Sequence, residues 1–119
     1  MIARRKADRI KQVHRWLIDN FHTPYPTKLF LVKPRSKSDR NLAGWVVMTD
    51  RRLRIYINVL CPKYVCLDTL MHEMAHCCTW PLRSMQGHVA DHSPEWGIKY
   101  AEIYSRYADE GGSKSSGSY

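Results

Sequence analysis

The chain has 119 residues, 44% of them hydrophobic and four of them Trp, which is enough for one modest core and too little for two. It contains no apolar run of about 18 residues, and no apolar stretch follows the basic start Arg4-Arg5-Lys6, so neither a membrane span nor a secretory signal is expected. Net charge is +8, and the first 60 residues hold 14 Lys and Arg against 4 Asp and Glu, whereas the last 59 hold 5 against 7. An intracellular monomer is expected, in cytoplasm or nucleoid or in the nucleus of a host cell. Its basic N-terminal half would favour a polyanion, DNA first, because clustered cations release counterions from phosphates. The plain alternative is a basic surface that serves only solubility.

In chain order, residues 2 to about 20 carry Ile10, Val13, Trp16, Leu17 and Phe21 at helical spacing among Arg and Lys, which predicts an amphipathic helix with a basic outside. Pro24 and Pro26 end it near Asn20 or Phe21. Leu29 to Val32 reads as a short strand. Gly44 to Met48 and Leu53 to Val59 read as two more, joined by a hairpin turn at Thr49 to Arg52. In the last of these Leu53, Ile55, Ile57 and Val59 alternate with Arg54, Tyr56 and Asn58, the pattern of a strand with one packed face, and three antiparallel strands are expected. Trp45 and Tyr56 are candidate base-stacking residues. The basic face of the first helix, the segment Lys33 to Arg40 and Arg51, Arg52 and Arg54 of the hairpin are candidate phosphate contacts.

Leu67 to Thr79 predicts a helix that holds His72-Glu73-Met74-Ala75-His76, with Pro62 near its start. Residues four apart share a helix face, so two imidazoles can grip one ion while Glu73 takes a proton from metal-bound water. Such a zinc site needs a third protein ligand. His92 is the choice, because Ser93-Pro94 directly after it offers a cap and first-turn proline for a last helix lined by Trp96, Tyr100, Ile103, Tyr104 and Tyr107. His88, Glu95 and Glu102 are the alternatives. The cysteines Cys61, Cys66, Cys77 and Cys78 lack C-x-x-C spacing and are expected as reduced, small hydrophobes. Residues 1–108 are expected as one domain and 109–119, rich in Gly and Ser, as a disordered tail.

The order of basic helix, strands ending Arg54-Ile55-Tyr56-Ile57-Asn58, then Thr69-Leu70-Met71-His72-Glu73-Met74-Ala75-His76 and His92-Ser93-Pro94-Glu95-Trp96 resembles the SprT-like (Spartan-type) metallopeptidases over residues 1 to 107. Ser93 replaces that family's more usual glycine. The resemblance implies an α+β, zincin-like domain: N-terminal helix, three-stranded and mainly antiparallel sheet, His-Glu-x-x-His helix and C-terminal helix. It further implies Zn2+ held by His72, His76 and His92, Glu73 as catalytic base, and proteolysis of DNA-associated proteins. Such a zinc endopeptidase would take its protein substrate as an added strand along Arg54 to Val59. Two other readings stand beside it: a non-catalytic, zinc-stabilised nucleic-acid-binding module, and a peptidase of the phage-repressor-cleaving type whose third ligand is a downstream glutamate.

Overall fold

The computed structural model describes residues 4–80 and 93–111. Helix α1 (Arg4–Asn20) leads into strand β1 (Thr27–Val32). A single helical turn, α2 (Lys37–Arg40), precedes the hairpin of β2 (Gly44–Thr49) and β3 (Arg52–Asn58), and helices α3 (Lys63–Cys78) and α4 (Pro94–Arg106) follow. A π-helical turn at Tyr107–Gly111 continues α4. Of the expected tail, residues 109–111 belong to this turn and the rest lie outside the described residues. The class is α+β, and no described helix is long and apolar enough to cross a membrane.

The sheet is mixed, in the order β1-β3-β2. β2 pairs antiparallel to β3 through the hairpin, but β1 pairs parallel to it, with Phe30 opposite Tyr56 and Leu31 opposite Ile57. Of the two antiparallel pairings expected of three strands, one is found and the other is parallel. β3 takes the centre because its inward face is the most apolar: Leu53, Ile55 and Ile57 are all fully buried. With both its edges paired, β3 has no edge left for a substrate strand, which corrects the expectation for Arg54 to Val59.

α1 and α3 pack on that inward face. Ile10, Val13 and Leu17 of α1 meet the β3 side chains and Cys66, Leu70, Met74 and Cys77 of α3 in one cluster, to which α4 adds Ile103. Burying each such aliphatic side chain is worth about 1.5–3 kcal/mol. The four thiols are free, and burial pushes those of Cys66 and Cys77 up, as befits apolar filler. Asn58, expected to face outward, is buried instead. Its Nδ2 donates to the Leu42 carbonyl at 3.0 Å and its Oδ1 accepts from the Leu60 amide at 2.9 Å, so it pins the chain on either side of the hairpin. Lys6 Nζ reaches across from α1 to the carbonyls of Val59 and Cys61, at 2.7 and 2.6 Å, fixing the link into α3. Arg106 ties α4 to the end of α1 by donating to Asn20 Oδ1 at 2.8 Å.

Candidate functional site

Helix α3 presents His72 and His76 one turn apart on one face, as the spacing requires, with ring centroids 5.0 Å apart. Together with Glu73, Gly44, Trp45, Val46 and Trp80 they line a pocket of about 310 Å3 between the helix and β2. Glu73 itself is only 8% exposed. β2 can lie this close because residue 44 is glycine: a Cβ there would come within 2.7 Å of Thr69 Cγ2 and of the Tyr56 carbonyl oxygen.

α4 closes the other side. Ser93 caps it by accepting from the Trp96 amide at 3.3 Å, with Pro94 in the first turn, as its sequence predicts. The Trp96 indole then stacks on His76 at 5.3 Å and meets His72 edge-on at 4.8 Å, while its Nε1 donates to the His72 carbonyl at 3.2 Å. Tyr100 stacks in turn on Trp96 and donates its hydroxyl to Asp68. Burial, and then that hydrogen bond, push the Tyr100 phenol above its ordinary range, so it is a donor at neutral pH.

Among the described residues no group of three or more His, Cys, Asp or Glu could hold a metal ion. The helix delivers two imidazoles, and the described groups packed on them include an indole and a phenol, whereas a zinc site needs at least three protein donors. Glu95 is exposed, and Glu102 pairs with Lys99 at 2.8 Å. His92, the expected third ligand, and His88 lie outside the described residues. This finding overturns the kinship with SprT-like metallopeptidases, Zn2+ as cofactor, the zinc endopeptidase activity, and the zinc-stabilised module offered as its alternative.

A second arrangement lies on the opposite face of the sheet. Alternation turns Phe30, Tyr56 and Trp45 outward, and strand register puts them side by side in one row. Their rings form a column: Phe30 on Tyr56 at 5.0 Å with planes 16° apart, and Tyr56 on Trp45 at 5.3 Å and 12°. The next row toward the hairpin holds Lys28 and Arg54, paired in register, with Arg52 beyond them. Lys28 Nζ and Arg54 Cζ lie 5.5 and 5.9 Å from the Phe30 centroid, within cation–π reach. Among the described residues, the outward positions of the three strands carry these three cations and no carboxylate.

The sequence points to Tyr56, Trp45 and Arg54 but not to Phe30 or Lys28. Their signal is the alternation Lys28-x-Phe30-x-Val32, which assigns a face only once the register of β1 against β3 is known. No family model matches the chain, and no curated protein or solved structure matches it either.

Proposed function

We propose that the protein binds single-stranded nucleic acid, DNA first, on the outward face of its sheet. One observation carries this: a column of three stacked rings beside a row of cations, with no carboxylate between them among the described residues. Cations attract phosphate whatever the sequence, but rings engage only bases that are not already stacked in a duplex, which favours a single strand. Tyr56 has a ring on each side, so bases add at the ends of the column.

The test is anisotropy of labelled single-stranded and duplex oligonucleotides of equal length, read against salt. Trp45→Leu keeps the apolar volume and removes the stacking surface. It is expected to weaken single-strand binding by about tenfold to a hundredfold, the value of one base–aromatic stack. Arg54→Gln is expected to lower the salt slope by about 0.7, one phosphate's share. Equal affinity for both forms, with Trp45→Leu unchanged from wild type, would refute the proposal.

A further inference from the structure

On the flank of the sheet, between α1 and β1, the outer strand of the described sheet, runs an open groove of about 750 Å3. Lys11 and Arg15 reach it from α1, four residues or about 6 Å of rise apart, and Lys28 reaches it from β1. Among the described residues that line it, Asp19 is the one carboxylate, against those three cations. Ile18, 44% exposed, supplies an apolar wall. Its floor is closed by His14, whose Nε2 is 3.1 Å from Thr27 Oγ1. Two lining residues, Lys28 and Phe30, also belong to the outward face, where Lys28 lies over the Phe30 ring. The groove and the aromatic column are thus one continuous surface that turns the corner of β1.

We propose that this groove carries the sugar-phosphate backbone of the bound strand onward from the Phe30 end of the column, with Lys11 and Arg15 on successive phosphates and Lys28 at the corner. This rests on the sheet face being a single-strand site. Three cations against one carboxylate suit a chain of phosphates, and an apolar wall at the rim suits the sugars between them.

Length dependence separates the groove from the face. The full chain is titrated with oligothymidylates of about four and about twelve nucleotides, bracketing the span of one small binding surface. Anisotropy is followed between about 50 and 200 mM salt. Quenching of indole fluorescence, taken as the difference between wild type and Trp45→Leu, reports the column. In the double variant Lys11→Gln/Arg15→Gln the longer oligomer should lose about 1.4 from its salt slope, two phosphates at about 0.7 each. The short oligomer should bind as it does to wild type, and quenching at saturation should not change. An unchanged slope for the longer oligomer, with quenching intact, overturns the groove and leaves the face standing. Wild type that binds neither oligomer, or binds both without quenching at Trp45, overturns face and groove together. Polyglutamate that competes as well as the longer oligomer, with the same sensitivity to the double variant, overturns the nucleic-acid assignment of the groove.

Discussion

Arg51 sits where an arginine is expensive. The two-residue turn between β2 and β3 places Asp50 at φ 53° and Arg51 at φ 60°, the left-handed pair of a tight hairpin. Asp tolerates that conformation through local hydrogen bonding, but arginine pays about 1–2 kcal/mol for it. Glycine would remove that cost and return about 0.5–1 kcal/mol of it as lost chain entropy. Arg51→Gly is therefore expected to stabilise the protein by about 0.5–1 kcal/mol, seen as a higher urea midpoint with an unchanged slope. If the hairpin arginines serve phosphate binding, the same variant binds oligonucleotide more weakly while unfolding later. A variant that gains stability and loses no affinity would remove Arg51 from the interface.

At the scale of elements, Gly44 sets how closely β2 approaches α3. Gly44→Ala drives a methyl into Thr69 Cγ2 and into the backbone oxygen of Tyr56, and a backbone atom cannot move aside without moving β3. A loss of about 1–3 kcal/mol is expected, with Trp45 and the rim of the His72 pocket displaced along with the strand. Unchanged stability together with unchanged Trp45 fluorescence would mean that β2 does not sit against α3 as described. The helices and the hairpin were legible because each rests on local signals: apolar residues at helical spacing in α1, Ser93-Pro94 at the start of α4, alternation in β3. The direction of β1 was not. A run as short as Leu29 to Val32 carries no mark of parallel or antiparallel pairing, and the partner that decides it is 26 residues away. The pair His72 and His76 was equally legible as a shared helix face. A ligand set is a tertiary property, however, and two imidazoles in sequence do not bring a third donor with them. The packing of Trp96 and Tyr100 onto the histidines was hidden for the same reason, although their place on one face of α4 was readable.

For the molecule as a whole, charge and burial divide the work between the two sides of the sheet. The inward side is closed by α1 and α3, and among its few buried polar groups is His14, held against Thr27 under the basic groove. Burial first, and then the neighbouring guanidinium of Arg15, lower its pKa from 6.5 to about 4. The folded protein therefore keeps this imidazole neutral, whereas the unfolded chain takes up a proton at its ordinary value. Above pH 6.5 neither state is protonated and the contribution to stability is whole. As pH falls from 6.5 toward 4 the unfolded state binds the extra proton, and stability declines by up to about 3 kcal/mol. Urea midpoints measured across that window should fall steadily on acidification and level off above neutrality. His14→Gln retains a partner for Thr27 and cannot titrate, so its curve should be flatter over the same range. A wild-type midpoint that holds or rises toward pH 4 would show that His14 is not sealed between α1 and β1. The floor of the groove would then be open to water, and Lys11 and Arg15 would stand on a looser helix than the one that presents them to a strand of phosphates.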